Sequence, residues 1–150
     1  VLGDERQERR IVDLELALRR GTRVVADLPG AWREASLSAL GVAPPDDANG
    51  VLQDIHWSGG AFAYFPNYTI GNLAAVQFYE AAVAASPGIA ADLERGEFGA
   101  LLGWLRENVH RHGRKYEPAE LLRRATGRPL EAAPYLRYLR TKYADVYGLA

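Results

Sequence analysis

The sequence predicts an all-α fold, a single domain of about five to six irregularly packed helices. Apolar residues recur at steps of three and four almost throughout, which is the spacing that one buried helix face requires. Glycines and prolines stand where these periodic runs end or begin, as helix termini prefer. No pair of segments alternates convincingly between apolar and polar residues. With 150 residues and no cysteine, the chain is long enough to bury a core without disulfides.

Two helices are predicted in the first third of the chain. The first runs from about Glu8 to Arg20 and is followed by Gly21, which favours a left-handed helix stop. The second opens at Asp27 as N-cap, has Pro29 in its first turn, and ends at Gly41. Residues 42–49 contain two prolines in succession, so we expect a loop there.

Further helical segments are predicted after a glycine-rich turn at residues 58–60. Proline or glycine marks most of their ends, and large apolar side chains share one face within each segment. The predicted segments are residues 66–85, 89–93 and 97–112, a helical turn from Pro118, and a last helix from Pro134.

Charge and hydropathy argue against nucleic-acid and membrane partners. The formal net charge is -1, and acidic and basic residues are interspersed. The longest apolar run is interrupted by Gln77 and Glu80, and no secretory leader is recognisable. We expect a cytoplasmic protein. Nucleic-acid binding remains a minor alternative, carried by basic residues that also suit a helix C-terminus: Arg106, His110, Arg111, His112, Arg114 and Lys115.

The segment from Gly50 to Gly71 concentrates polar recognition groups. Its 22 positions hold an amide, a carboxylate, an imidazole, an indole, two phenols and four glycines. Ordinary core packing does not require this combination, and phenol and imidazole groups can donate hydrogen bonds to a carboxylate or an oxyanion. The segment is therefore predicted to line a binding cleft.

Five of these residues carry a family resemblance. Gly50, Gln53, Asp54, His56 and Trp57 fall on the fixed positions of GxxQDxHW, so the stretch resembles the signature of the carboxypeptidase Taq family of zinc metallocarboxypeptidases. Matching segments continue in order along the chain from about Arg10: Pro44-Pro45, Tyr64-Phe65-Pro66, Tyr68 to Asn72, Val109 to Gly113, Ala125 to Gly127, Tyr135 to Leu139 and Lys142-Tyr143.

The resemblance implies site residues and a substrate. Tyr68 and His56 are the expected catalytic residues, and peptide C-termini are the expected substrate of the complete enzyme. The expected substrate-binding residues are Gln53, Asp54, Trp57 and Tyr64. An alternative interpretation stays open for each: the carboxylate and amide cap helix ends, the indole belongs to the core, and the tyrosines pack.

No catalytic metal site is predicted in this chain, although the family uses zinc. The family's HExxH motif does not occur, and His110 and His112 are two residues apart, which points them to opposite sides of a helix. Residues 23–27 match the family's RxxAD arginine motif, but they run into a DLPxxW segment that the family carries later. The resemblance thus makes residues 10–150 the C-terminal part of the enzyme and 1–9 an unmatched lead.

Two departures from the family pattern leave two functions open. Gly59 stands where the family usually has histidine, and Ala63 where it has glycine. The first hypothesis is the substrate-cleft part of a zinc carboxypeptidase, inactive without the zinc-binding part. The second is a non-catalytic descendant that serves as a binding or dimerisation module. Under either hypothesis we expect a homo-oligomer, such as a homodimer, because an uncovered cleft exposes aromatic side chains.

Overall fold

The computed structural model describes residues 2–148, with side chains from residue 9 onward, and confirms the all-α prediction. This part of the chain contains no strand. It has eight α-helices rather than the predicted five to six: one unpredicted turn forms inside the Gly50–Gly71 segment, called the signature segment below, and the two short segments from residues 89 and 118 each form a helix of their own. The eight α-helices are α1 (Leu2–Arg19), α2 (Leu28–Leu40), α3 (Ile55–Ser58), α4 (Pro66–Ala85), α5 (Ile89–Glu94), α6 (Gly99–Asn108), α7 (Pro118–Thr126) and α8 (Ala133–Tyr147).

Two helix boundaries differ from the predictions. Helix α1 begins at Leu2 rather than near Glu8, because helix-favouring residues precede the apolar periodicity that the prediction used. Helix α6 ends at Asn108 rather than His112, since the backbone of Val109 leaves helical geometry at φ −126° and a 3₁₀ turn follows. Part of the expected lead and of the expected C-terminal region, namely Val1, Leu149 and Ala150, lies outside the described residues.

Within this all-α fold the chain divides into two compact units. The first unit ends at Thr69 and the second begins at Ile70. None of the described helices is both long and apolar enough to cross a lipid bilayer.

The core of the first unit forms between helices α1 and α2. Ile11 and Leu14 of α1 pack with Trp32 of α2 and with Phe65, and all four are buried. Full burial of such a side chain contributes about 1.5–3 kcal/mol to stability. Trp57 is partly buried and packs against this cluster. The core therefore holds the signature segment (Gly50–Gly71) at three points, Val51, Trp57 and Phe65.

Arg10 is buried beside this core. Its guanidinium lies 4.1 Å from the centre of the Trp32 ring and donates a hydrogen bond to Ser36 Oγ. Burial lowers the pKa of Arg10, and the negative charge of Asp54 partly opposes that shift. The Arg10 side chain thus joins α1 to α2 and places a positive charge within electrostatic range of the signature carboxylate.

In the second unit, a buried amide holds the segment between α7 and α8. Gln77 of α4 is fully buried; its Nε2 donates to the Pro129 carbonyl at 2.8 Å and its Oε1 accepts from the Glu131 N–H at 2.9 Å. One turn later, Glu80 accepts hydrogen bonds from Arg128 and Arg137, each at 2.9 Å. These contacts connect α4 to residues 128–131, which precede α8, and to Arg137 of α8 itself.

The loop between α3 and α4 contains a backbone conformation that normally selects glycine. Ala63 has φ +58°, and it is the one non-glycine residue with positive φ in the part of the chain that the structure describes. An L-residue in this region is destabilised by roughly 1–2 kcal/mol through contact of Cβ with its own backbone. Ala63 is therefore a strained position next to Tyr64.

We expect Ala63→Gly to stabilise the chain. Removing Cβ relieves the strain, while glycine adds about 0.4–1 kcal/mol of unfolded-state entropy, so the free energy of unfolding should rise by roughly 0.5–1 kcal/mol. Urea unfolding measures the change. Ala48→Gly is the matched control: Ala48 is exposed and lacks positive φ, so this substitution should destabilise instead. Equal destabilisation by both substitutions would contradict the strain.

The Glu80 ion pairs predict a pH dependence of stability. The hydrogen bond from Arg128, with help from Arg137, lowers the pKa of Glu80. A lowered carboxyl pKa stabilises the fold above the unfolded-state pKa, and this contribution disappears as pH falls through the folded pKa. Glu80→Gln should therefore reduce the free energy of unfolding by about 1 kcal/mol at pH 7 and by progressively less below pH ~4.5.

Unfolding curves of the wild type and Glu80→Gln between pH 3 and pH 7 measure this difference. Glu94→Gln, an exposed carboxylate of α5, is the control and should change stability by less than about 0.5 kcal/mol. A Glu80→Gln penalty that is constant over the whole pH range would show that the carboxylate charge is not its source.

Candidate functional site

The two residues expected to be catalytic are in direct contact. His56 lies on α3, Tyr68 lies in the first turn of α4, and the distance between His56 Nε2 and Tyr68 Oη is 3.1 Å. The two rings meet edge to face, with centroids 6.0 Å apart. Tyr68 is 44% exposed, so its hydroxyl is accessible from outside the unit. The pair combines a titratable imidazole with an accessible phenol.

Asp54 fixes the backbone and faces the ring of His56. As N-cap of α3, its Oδ1 accepts from the N–H groups of His56 at 2.8 Å and Trp57 at 3.0 Å. Its Oδ2 lies 3.7 Å from His56 Nδ1, which is a charge contact rather than a hydrogen bond. The structure shows Asp54 as a helix cap that also faces His56; a role of Asp54 in substrate binding stays a prediction.

Aromatic rings surround His56. Tyr64 stacks on it at a centroid distance of 5.6 Å, Phe65 approaches at 4.6 Å, and Tyr64 meets Tyr68 edge to face at 5.4 Å. Tyr64 is 44% exposed, whereas Phe65 is buried in the core. The result is a wall with two accessible phenols and a buried anchor, and we call His56, Tyr64, Phe65 and Tyr68 the aromatic wall.

Two predicted substrate-binding residues have structural partners. Trp57 packs edge to face on Trp32 and stacks on Phe62, with centroids 5.9 and 6.2 Å apart. Gln53 is exposed, and its side-chain amide donates to the carbonyl of Ala48. These contacts hold the segment in place; a role of either residue in substrate binding stays a prediction.

Sequence reasoning missed Glu15. This α1 residue is 4% exposed; its Oε1 accepts from the Trp57 indole N–H at 2.7 Å and its Oε2 accepts from the Ala63 N–H at 2.9 Å. The spacing of apolar residues along α1 could have pointed to this residue. Glu15 follows Ile11 by four residues and precedes Leu18 by three, which places a carboxylate on the apolar face of the helix.

The start of α4 is less open to an anion than its position in the sequence suggests. The N–H groups of Asn67 and Tyr68 donate to the carbonyls of Tyr64 and Phe65, at 3.0 and 3.1 Å. These backbone donors are therefore already satisfied. Hydrogen bonding to a ligand at this point falls to the Tyr68 hydroxyl.

The donor set of the aromatic wall does not fit a zinc site. Structural and catalytic zinc sites need at least three protein ligands, and His56 has only Asp54 beside it. Within the described residues, no three His, Cys, Asp or Glu side chains are grouped closely enough to hold a metal ion. We therefore derive no step of a reaction through a metal held by this chain.

Comparison with known proteins agrees with the signature. Residues 10–143 match the family model of carboxypeptidase Taq (M32) metallopeptidases. Thermostable carboxypeptidase 1 of Thermus thermophilus is 47% identical over 137 residues, and carboxypeptidase 1 of Bacillus subtilis is 39% identical over the same length. In both cases the match covers 91% of this chain and 27% of the relative.

Solved structures agree in fold. A crystal structure of an M32 carboxypeptidase from Deinococcus radiodurans superposes with a TM-score of 0.88 at 48% identity, over 96% of this chain and 29% of that chain. A Pyrococcus furiosus carboxypeptidase structure gives a TM-score of 0.77 at 35% identity, over 90% of this chain and 28% of that chain. The chain thus spans little more than a quarter of the relatives it matches, and it belongs to the carboxypeptidase Taq (M32) metallopeptidase family.

Proposed function

We propose that this chain forms the substrate-facing part of a zinc carboxypeptidase that removes C-terminal residues from peptides. One observation carries the proposal. His56 of the GxxQDxHW motif and Tyr68 of α4 are in contact at 3.1 Å, while the Tyr68 side chain remains 44% exposed. Membership of a metallocarboxypeptidase family supports the reaction class. The substrate itself is inferred from the relatives' names and from the chemistry of the wall.

The geometry suits Tyr68 as a hydrogen-bond donor to the reacting carbonyl. Peptide hydrolysis develops negative charge on that oxygen, and a preorganised donor stabilises the charge. When His56 Nε2 carries a proton, it donates to Tyr68 Oη, so the phenol O–H is free to point outward. Asp54 holds the backbone of His56 through the helix cap and lies 3.7 Å from Nδ1.

In this proposal the zinc ion and its ligands belong to a part of the enzyme outside this chain. When bound there, zinc supplies an activated water and polarises the carbonyl. This chain contributes the phenol, the imidazole and the aromatic surface against which the peptide lies. The Asp54 cap and the packing of Phe65 in the core hold the phenol and the imidazole in fixed positions, as catalysis by positioning requires.

The second candidate is a non-catalytic binding or dimerisation module. Gly59 favours it, because this residue stands where the family pattern usually has a histidine. The exposed rings of Phe62, Tyr64 and Tyr68, each 44–46% accessible, would then contact a protein partner. The measurements below separate the two candidates.

We expect Tyr68→Phe, made in a full-length enzyme carrying this sequence, to lower kcat by about 100-fold. The substitution removes one hydroxyl donor to the developing oxyanion and leaves the ring in place. KM should change by less than about threefold, since the lost interaction strengthens only in the transition state. Steady-state hydrolysis of a blocked dipeptide measures both constants.

Tyr79→Phe is the matched control for this substitution. Tyr79 lies on the same helix α4 and is 39% exposed, so its loss of a hydroxyl should leave kcat unchanged. Wild-type kcat in Tyr68→Phe would refute the role of Tyr68, whereas a full-length protein without any carboxypeptidase activity would favour the non-catalytic module. A loss of more than about 2 kcal/mol of stability with normal activity per folded molecule would make the hydroxyl a structural donor instead.

The chain on its own should neither retain zinc nor release C-terminal residues. Its described side chains offer no three-ligand group that would activate a metal-bound water. Metal analysis after dialysis and a carboxypeptidase assay test this expectation together. Zinc bound at one equivalent, with release of C-terminal residues, would contradict it.

A further inference from the structure

We propose that Glu15 is the positioning residue of the candidate site, an inference that rests on the proposed function. Glu15 belongs to α1, 42 residues before Trp57 and 48 before Ala63 along the chain, and it is hydrogen-bonded to both. The carboxylate thus joins α1 to the two ends of a single loop. By this loop we mean residues 57–63, which begin within α3 directly after His56 and end directly before Tyr64.

Both oxygens of the carboxylate are committed to this loop. The Trp57 indole N–H occupies Oε1 at 2.7 Å, and the Ala63 backbone N–H occupies Oε2 at 2.9 Å. Hydrogen bonds to a charged acceptor are shorter and stronger than neutral ones, and burial increases their strength. Since Glu15 is 4% exposed, water competes little for either bond.

The positions of the two donors explain how Glu15 acts at a distance. Trp57 is the chain neighbour of His56, and Ala63 is the chain neighbour of Tyr64. His56 and Tyr64 stack at 5.6 Å, and Tyr68 contacts both of them. Fixing the two neighbours therefore fixes the spacing of the stacked pair and, through it, the 3.1 Å contact between His56 and Tyr68.

The intervening loop has backbone hydrogen bonds of its own, from the Ala61 N–H to the His56 carbonyl at 2.8 Å and from the Gly60 N–H to the Trp57 carbonyl at 3.0 Å, and Glu15 adds its attachment to α1. The loop contains Gly59 and Gly60, the latter with φ +76°, so its backbone is intrinsically permissive. Ala63 itself occupies the left-handed region, which alanine disfavours. Without the carboxylate, both the permissive glycines and the strained alanine favour departure from the observed geometry.

Glu15→Gln tests the proposal with almost no change in shape. Glutamine offers one acceptor oxygen, and its amide group places a donor against the second N–H, so one of the two loop bonds is lost. In this chain, hydrogen exchange of the Trp57 indole or the Ala63 amide should accelerate at least about tenfold. The nuclear Overhauser contact between the His56 and Tyr68 rings should weaken at the same time.

Asp13→Asn is the control, because Asp13 lies on the same helix with a side chain 67% exposed. It should leave exchange and ring contacts unchanged. If Glu15→Gln folds and both N–H groups keep their protection, the positioning role is overturned. If Glu15→Gln does not fold, Trp57→Phe removes only one donor; unchanged His56–Tyr68 contacts in that variant also overturn the role.

Activity supplies a second readout in the full-length enzyme. Glu15→Gln should lower kcat at least about tenfold, since an ångström-scale displacement of catalytic groups is sufficient for such a loss, while the zinc content stays at the wild-type level. Wild-type kcat in this variant overturns the proposal. Failure of the proposed function gives a different result from failure of the Glu15 proposal. In the first case Tyr68→Phe has normal activity, and the exchange measurements alone then decide whether Glu15 holds the loop.

Discussion

The candidate site depends on one buried carboxylate that accepts two hydrogen bonds from a single loop. A lone buried charge is costly, and it is tolerated when its lone pairs are satisfied by donors. Glu15 meets this condition with an indole N–H and a backbone N–H, and its oxygens lie within 2.9 Å of both donors. The core contributes independently, because Trp57 and Phe65 pack against the cluster around Trp32. Polar and apolar contacts therefore meet at Trp57, and Phe65 adds an apolar attachment two residues after Ala63.

In the second unit a buried side chain also holds a backbone segment by two hydrogen bonds, but the side chain is an amide rather than a carboxylate. Gln77 is buried and faces one carbonyl, of Pro129, and one N–H, of Glu131. An amide supplies one donor and one acceptor and matches this pair without charge. Glu15 faces two donors, for which an amide would leave one unsatisfied. The choice between carboxylate and amide follows from the donors and acceptors that each backbone segment presents.

Helix type and most helix positions followed from periodicity, whereas the contacts that define the site did not. Residues 66–85 were predicted and observed as one helix, because proline and a serine-proline-glycine stop mark its ends. The turn α3 was not predicted, since four residues are too few to show a period; its cap, Asp54, explains it. That His56 and Tyr68 share a site was expected only through the family resemblance, and their direct contact was not predicted. Glu15 was missed because long-range partners leave no local pattern in the sequence. A charged residue on an apolar helix face was its one visible sign.

The strain at Ala63 and the bond to Glu15 meet at the same backbone unit. The N–H of Ala63 points at the carboxylate while its φ of +58° is unfavourable for alanine. A charge-assisted hydrogen bond contributes about 1.5–3 kcal/mol, which is comparable to the roughly 1–2 kcal/mol that the left-handed conformation costs. The interaction is therefore strong enough to hold a residue other than glycine in this conformation. It follows that replacement of a family glycine by Ala63 is compatible with an intact loop, and that the substitution alone is no argument against a catalytic role.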